Sequence, residues 1–177
     1  MAHDAAIVTI DYDPQWPMMF EAEKRRLQGG LGHVAVRIEH IGSTAVPGLA
    51  AKPIIDIDIY VRCIEPMAPY GEPLETLGYV YQFDPEAPDL HFFGYPAERP
   101  RQFHVHVAEI GDHHMQADLA VRDFLRTHPD VAQEYAQLKR GLTAQHLWDR
   151  NAYIAGKAAF MTVLQTRALR WTSQGCD

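Results

Sequence analysis

Two aspartates that alternate along an apolar run are the residues of this 177-residue chain best suited to chemistry. Asp56 and Asp58 lie in segment 54–61, whose β-branched residues favour a strand. Strand side chains point alternately to opposite faces, so both carboxylates share one face and the isoleucines between them face the core. Two adjacent carboxylates repel one another unless a cation lies between them, and such oxygen ligands suit Mg²⁺ or Mn²⁺. The pair therefore predicts half of a divalent-metal site for phosphoryl transfer.

A glycine–serine turn precedes the aspartates and is a candidate phosphate-binding element. Gly42 permits close approach of the backbone to a ligand, and Ser43 adds a hydroxyl beside exposed backbone N–H groups. Each half has a structural alternative, because alternating acids are commonly the solvent face of an edge strand and a Gly-Ser turn is commonly a helix cap. The order of strand, Gly-Ser turn and alternating acids favours a site that binds a metal ion and a phosphate group.

The elements that must position these residues indicate an α+β protein. Alternating or β-branched runs predict strands at 7–12, 34–41, 54–61, 79–83, 90–95 and 103–110. Apolar residues at helical spacing and local start signals predict helices at 13–30, 66–77, 117–127, from 129 onward and at 150–170. In the first helix, Asp13 is expected as the N-cap and Pro14 at the first position. We expect a mixed β-sheet flanked by helices in residues 1–111 and a packed C-terminal helical extension in 117–171, as one domain of residues 1–177.

Longer segments carry a family pattern over nearly the whole chain. They are IDYDPQWPMMFEAEKRRL, IEHIGSTAVPGLAAKPIIDIDIYV, HVHV, RDFLRTHPDVAQEYAQLKRGL and DRNAYIAGKAAF. Through them the chain resembles the GrpB family, small bacterial proteins assigned to the polymerase-β-like nucleotidyltransferase superfamily. The resemblance implies that Gly42 and Ser43 are the superfamily's Gly-Ser turn and that Asp56 and Asp58 are its alternating acids. It implies the fold more directly than the reaction, because one fold hosts many functions.

The chain departs from the superfamily pattern at the third carboxylate, which a later strand usually supplies. The corresponding candidate strand, FHVHVAEI, presents His104 and His106 on one face, with Glu109 on the other unless a bulge intervenes. The histidines are candidates as metal ligands or as the base for an attacking hydroxyl. The alternative is a structural role for a hydrogen-bonded polar face, and both interpretations stay open at this point.

A phosphate site also needs positive charge. Lys52 lies just before the acidic strand, and three further cations lie in the segments shared with the family. The predicted nucleotide- and phosphate-binding set is Gly42, Ser43, Thr44, Lys52, Arg122, Lys139 and Lys157. Surface cations are more commonly only solvated. Tyr153 could stack on a base, but packing in the core is the favoured role for an amphipathic tyrosine.

Composition limits the setting and the partners. A formal charge of −7 and a pI near 5.8 argue against binding nucleic acid by bulk charge. Cys63 and Cys176 lie far apart and indicate no disulfide framework. The N-terminal residues show no apolar signal-peptide core, and no segment is long enough to cross a bilayer. We therefore expect a cytoplasmic protein with no membrane partner.

Two hypotheses from different classes follow. The first is a Mg²⁺-dependent nucleotidyltransferase that moves a nucleoside monophosphate from a nucleoside triphosphate to an unknown small-molecule or protein acceptor. The second is a non-catalytic nucleotide- or phosphate-binding module of the same fold, which the missing third carboxylate favours. A weaker third hypothesis is a metal phosphohydrolase that uses the two aspartates and two histidines, although the chain lacks the tightly spaced His and Asp motifs of such enzymes.

Overall fold

A computed structural model describes residues 6–83 and 89–174, which contain a mixed sheet and five α-helices. The helices are α1 (Trp16–Leu31), α2 (Ala68–Thr76), α3 (His113–Thr127), α4 (Pro129–Gln145) and α5 (Arg150–Gln174). The strands are β1 (Arg37–Ile41), β2 (Ile55–Val61), β3 (Val80–Gln82), β4 (His91–Tyr95) and β5 (Phe103–Glu109). Short 3₁₀ turns span Gly32–Val34 and Ser43–Ala45. The predicted α+β class is confirmed; the expectation about Cys176 lies outside the described residues.

The sheet has the strand order β1-β2-β5-β4-β3, so β5 is its central strand and β2 is also interior. β2 and β5 run parallel, and the other neighbours are antiparallel. The mixed sheet expected from the sequence is therefore confirmed. Because β2 has a neighbour on each side, Asp56 and Asp58 do not belong to an edge strand, which removes the structural alternative considered for them.

One face of this sheet is apolar. Ile55, Ile57 and Ile59 have no exposed surface, as expected from the alternation in β2. The helix α1 packs against β2 and α2 and buries Trp16 and Phe20. Burial of one such large side chain contributes about 1.5–3 kcal/mol. The apolar face therefore anchors β2, and the even-numbered residues of β2 must lie on the opposite face.

The chain divides into two compact units. The sheet unit comprises Pro14–Ile41 and Ile54–Met115, and the helical unit comprises the described parts of Met1–Asp13, Gly42–Pro53 and Gln116–Asp177. The sequence placed residues 42–53 with the sheet. They group with the C-terminal helices instead, because their apolar side chains are buried in a cluster with residues of α3, α4 and α5. Those side chains are Val46, Leu49 and Ala50.

Two predicted starts were wrong at the N-terminal end. Residues 7–12 form no strand beyond one isolated bridge, Ile10 with Ala51, because the partner segment does not continue the pairing. α1 begins at Trp16 with Gln15 at the N-cap and no side-chain cap bond, and Pro17 rather than Pro14 occupies its first turn.

The strand β1 and the helix α3 begin at other residues than predicted, for local reasons. Val34 belongs to a 3₁₀ turn and Val36 is 43% exposed, so β1 starts only at Arg37. α3 starts at His113, earlier than predicted, because the Asp112 carboxylate accepts hydrogen bonds from two backbone N–H groups of its first turn. The remaining predicted helices and strands are present with ends shifted by a few residues.

A buried carboxylate ties α1 to the chain segment around α2 and β3. Glu23 is 6% exposed and accepts hydrogen bonds from the Arg26 guanidinium at 2.6–3.0 Å and from the Tyr79 hydroxyl at 2.7 Å. Arg26 also donates to the Leu77 carbonyl at 2.7 Å and lies over the Tyr95 ring. The hydrogen bond to Glu23 raises the pKa of Arg26, and burial, aided by the Glu23 charge, raises the pKa of Tyr79. The network thus pairs the buried Glu23 carboxylate with the Arg26 guanidinium.

We expect Glu23→Ala to lower the free energy of unfolding by about 3 kcal/mol, because it leaves a guanidinium and a buried hydroxyl without their acceptor. Tyr79→Phe removes one hydrogen bond to a charged group and should cost about 1.5–3 kcal/mol. Urea denaturation followed by circular dichroism measures both. The exposed neighbour Glu21 provides the control, Glu21→Ala. A Glu23→Ala protein as stable as this control would contradict the assigned role.

Candidate active site

Register across β2 and β5 pairs each aspartate with a histidine. Asp56 lies opposite His104 and Asp58 opposite His106, so all four side chains share one face of the sheet. The Nδ1 atom of His104 is 3.1 Å from Oδ1 of Asp56, and Nδ1 of His106 is 3.3 Å from Oδ1 of Asp58. The two histidines that the sequence left between a catalytic and a structural role therefore lie in contact with the two aspartates.

This geometry has a chemical consequence for the imidazoles. An ionised carboxylate can only accept a hydrogen bond, so a neutral histidine donates Nδ1–H to it. The proton then sits on Nδ1, and Nε2 becomes the basic nitrogen. An oriented imidazole of this kind can take a proton from a hydroxyl, as in other carboxylate–histidine pairs.

The four side chains differ in their exposure. The Asp58 side chain has no exposed surface and Asp56 retains 30%, while the His104 and His106 side chains are 19% and 23% exposed. A carboxylate withdrawn from water carries a large desolvation cost unless it is paired and hydrogen-bonded. The full burial of Asp58 therefore rules out a merely solvated role for this carboxylate.

The third carboxylate of the superfamily pattern is not supplied by Glu109. The register of β2 with β5 is continuous from Phe103 to Glu109, without a bulge, so Glu109 lies on the face opposite to the two histidines. Its carboxylate accepts a hydrogen bond from the backbone N–H of Ile64 at 2.9 Å. Within residues 6–83 and 89–174, no group of three or more His, Cys, Asp or Glu side chains is arranged to hold a metal.

The glycine–serine turn is in contact with a buried cation. Gly42 has φ 69° and ψ −169°, and Ser43 begins the 3₁₀ turn that follows. Lys139 of α4 is 3% exposed, donates from Nζ to Oγ of Ser43 at 2.8 Å, and lies over the Tyr135 ring at 4.3 Å. Thr44 of the turn is buried. The helical unit thus brings together Ser43 and Lys139, two members of the predicted phosphate-binding set that are 96 residues apart.

Two more predicted cations meet at one aromatic ring. Nζ of Lys52 lies 4.2 Å from the centroid of the Tyr153 ring, and Nζ of Lys157 lies 5.7 Å from it. Tyr153 itself is buried with Ile7 and Leu142, and burial raises its pKa. Tyr153 is therefore a core residue, and its ring positions the two ammonium groups. This burial excludes stacking of the ring on a base.

The arginines of α3 behave differently from one another. Arg122 forms an ion pair with the neighbouring Asp123 at 2.8 Å. Arg126, outside the predicted set, donates from Nε to the carbonyl of Ala45 at 2.9 Å and so fixes the Gly-Ser turn against α3. Sequence reasoning missed this role, because no local pattern shows that Arg126 meets the carbonyl of Ala45, 81 residues away.

The chain matches a known protein family over most of its length. A family model described as GrpB protein matches residues 6–167. The chain belongs to the GrpB family.

Solved and curated relatives agree with this assignment. The crystal structure of conserved protein GrpB from Enterococcus faecalis superposes with a TM-score of 0.87 at 32% identity, over 93% of this chain and 99% of that one. The UPF0157 protein PA4798 of Pseudomonas aeruginosa is 40% identical over 97% of this chain and 71% of its own length. The UPF0157 protein YqkA of Bacillus subtilis is 39% identical over 92% of this chain but only 47% of its own length. The GrpB chain thus spans about half of that relative.

Asp56, Asp58, His104 and His106 share one face of the sheet, which we call the carboxylate–histidine face. Sequence reasoning also missed two residues on this face. Phe92 of β4 lies opposite His106, and its ring contacts both imidazoles at centroid distances of 5.1 and 5.3 Å. Arg101, from the connection between β4 and β5, lies over the Phe92 ring at 5.9 Å. The alternation of 90–95 could have placed Phe92 on this face, but no sequence signal pointed to Arg101.

The backbone of Gly42 allows a test of the turn. The combination of φ 69° and ψ −169° is essentially restricted to glycine. We expect Gly42→Ala to lower the free energy of unfolding by about 1–3 kcal/mol. Gly29, in α1 with open space around it, gives the control: Gly29→Ala should raise stability by about 0.5–1 kcal/mol through helix propensity. Chemical denaturation checks both, and equal effects of the two substitutions would show that the turn holds no special conformation.

Proposed function

We propose that this protein is a Mg²⁺- or Mn²⁺-dependent nucleotidyltransferase that moves a nucleoside monophosphate from a nucleoside triphosphate to a hydroxyl group of an acceptor. The observation that carries the proposal is the pair of adjacent carboxylates on an interior strand, each in contact with a histidine of the next strand. A fully buried carboxylate next to a partly exposed one, beside two oriented bases, is costly to build and suits a reaction with both a cation and a transferable proton.

The donor set fits a hard divalent cation. Asp56 and Asp58 offer carboxylate oxygens on one face at adjacent same-face positions of β2. Mg²⁺ commonly takes one or two protein carboxylates and completes its shell with water and phosphate oxygens, so a third protein ligand is not required. When bound, the ion would neutralise charge on the transferred phosphoryl group.

We propose that cations of the helical unit bind the phosphate groups of the nucleotide. A triphosphate brings several negative charges, which one divalent ion does not neutralise. Lys139 is nearly buried and donates a hydrogen bond to the Ser43 hydroxyl. Lys52 and Lys157 lie against the ring of Tyr153. Ammonium groups held by aromatic rings lose little further freedom when they meet a phosphate.

The carboxylate–histidine pairs supply the base. In the proposed reaction the acceptor oxygen attacks the α-phosphorus, a new P–O bond forms, and the bond between the α-phosphorus and pyrophosphate breaks. The hydroxyl proton moves to Nε2 of His104 or His106, while Asp56 or Asp58 holds Nδ1–H and orients the ring. Pyrophosphate leaves with the electron pair of the broken bond.

Relatives add one association with nucleotide chemistry. A protein of Mycolicibacterium paratuberculosis named dephospho-CoA kinase is 30% identical over 94% of this chain, which covers 47% of that protein. The name belongs to the whole protein, and this chain corresponds to about half of it. The association agrees with a nucleotide ligand.

One observation favours a second candidate, a nucleotide-binding module without transfer activity. The positions of β5 in register with the two aspartates carry histidines, and Glu109 lies on the opposite face. A site with two acids and no third one can bind a metal–nucleotide complex without turning it over. The two candidates share the ligand and differ in turnover.

We expect Mg²⁺ or Mn²⁺ to raise the melting temperature of the wild-type protein, because a ligand that binds only the folded state stabilises it by linkage, by about 2.7 kcal/mol at a hundredfold excess over Kd. The double variant Asp56→Asn with Asp58→Asn should lose this response. Scanning fluorimetry with and without metal measures the shift. The control Glu72→Gln with Glu75→Gln changes two exposed acids of α2 by the same charge and should respond like the wild type. An equal metal response in all three proteins would reject the site.

We further expect the magnesium complex of ATP to bind the wild type, with Lys139→Met weakening binding about tenfold or more through loss of charge-assisted contacts. Lys24→Met, on α1, is the matched control and should bind like the wild type. Isothermal titration calorimetry measures the affinities.

Transfer of a labelled nucleotide onto acceptors of a cell extract separates the two candidates. His104→Ala or His106→Ala should lower turnover about a hundredfold or more with little change in nucleotide affinity, as expected of a group that acts mainly in the transition state. Binding without transfer would leave the module as the function. Full transfer activity in both histidine variants would clear these residues of a catalytic role.

A further inference from the structure

A residue without a side chain opens room on the carboxylate–histidine face. Across the sheet, Asp56, His104 and Gly94 lie directly opposite one another on β2, β5 and β4. Directly opposed residues point to the same face, so Gly94 marks the place beside His104 where the next side chain would stand. In its absence another group can lie directly against the backbone of β4 at that point of the row.

The Arg101 guanidinium occupies this room. A Cβ atom built on Gly94 would lie 2.1 Å from Nη1 and 2.3 Å from Cζ of Arg101. Such distances are far inside van der Waals contact, so any larger residue at position 94 would displace the guanidinium. The glycine therefore determines where Arg101 lies, next to His104 in the row that begins with Asp56.

The surroundings make this guanidinium part of a continuous patch. Arg101 is 7% exposed and lies over Phe92, whose ring contacts the imidazoles of His104 and His106. We call these four side chains, with Gly94, the Arg101 patch. It continues the carboxylate–histidine pairs away from β2, so cation, aromatic ring and candidate bases follow one another along one face of the sheet unit.

The chemistry of the patch points to an anion. Arginine stays charged at any ordinary pH and presents a planar fork that matches a carboxylate or a phosphate group with two parallel hydrogen bonds. Arg101 is only 7% exposed, and withdrawal from water strengthens such a contact. The aromatic ring beneath the guanidinium restricts its orientation, which lowers the entropy lost when an anion binds.

We propose that the Arg101 patch binds the acceptor substrate, and that this acceptor carries an anionic group, a carboxylate or a phosphate, close to the hydroxyl that is modified. The assignment rests on the proposed nucleotidyl transfer. With the anion on Arg101, the neighbouring hydroxyl lies toward His104, in the same row of the sheet. The histidine takes the hydroxyl proton, the acceptor oxygen bonds to the α-phosphorus, and pyrophosphate departs. Arg101 neutralises the acceptor's charge, which would otherwise repel the triphosphate.

The first experiment compares three probes that share a three-carbon skeleton: glycerol 3-phosphate, glycerate and glycerol. Calorimetry should show that at least one anionic probe binds the wild-type protein at millimolar concentration and that glycerol does not. Arg101→Met keeps much of the side-chain length but removes the charge, and should weaken anion binding about tenfold or more. Preference between the two anions identifies the acceptor group as phosphate or carboxylate.

Gly94→Ala tests the geometry without removing the charge. The three atoms nearest to the new methyl group belong to the far end of the flexible Arg101 side chain, so the protein should fold while the guanidinium is displaced. It should lose anion binding like Arg101→Met, whereas Lys24→Met, on α1, should retain it. Ring resonances of His104 in nuclear magnetic resonance spectra should shift on addition of the anion to the wild type and not to Gly94→Ala.

Several results would overturn the assignment. They are anion binding unchanged in Arg101→Met and Gly94→Ala, loss of anion binding in Lys24→Met as well, or equal binding of glycerol. A lower melting temperature of Arg101→Met with unchanged anion binding would make Arg101 a structural residue. A parallel titration with the magnesium complex of ATP separates this outcome from failure of the proposed function. If the nucleotide binds but no anion site depends on Arg101, only the Arg101 patch is rejected. If an Arg101-dependent anion site exists but the nucleotide does not bind, the transferase is rejected.

Discussion

The parallel pairing of β2 with β5 is the constraint on which the candidate site depends. It sets Asp56 against His104 and Asp58 against His106 in unbroken register from Ile55 to Val61. A shift by one residue would turn every side chain of one strand to the other face and separate both pairs. The register is fixed from the opposite face, because the isoleucines of β2 and the valines of β5 are fully buried there. Hydrophobic packing on one face therefore determines the polar contacts on the other.

The same face shows how a protein can hold a fully buried carboxylate beside a partly exposed one. The desolvation of Asp58 is compensated in part by the imidazole of His106, and Asp56 has His104 in the same relation. Strand hydrogen bonds fix the backbone of all four residues, so the site needs little reorganisation when charge develops. On the helical unit, Lys139 is held by Ser43 and by the Tyr135 ring in a similarly rigid way. Each charged group is thus positioned by neutral or oppositely charged neighbours of its own unit.

Much of this arrangement follows from local sequence, and the rest depends on distant contacts. The two-residue period of β2 placed both aspartates on one face, and the family segments selected Ser43 and Lys139. Nothing local could show that His104 would meet Asp56, because strand register across a long crossover depends on how the whole sheet packs. Arg101 was missed because its position depends on an absent side chain at Gly94. Residues 7–12 were wrongly predicted as a strand because an alternating pattern does not reveal whether a partner strand exists.

Both carboxylate–histidine contacts join residues 48 positions apart. Between them in the chain lie α2, β3 and β4, and β5 then takes the central place in the sheet, between β2 and β4. Contacts of such long sequence separation carry the loop-closure cost that slows folding. We infer that β2 and the β3–β4 hairpin cannot be joined until β5 has entered between them. The polar pairs then form in the step that completes the sheet, so unfolded and partly folded chains have no such site to offer a nucleotide.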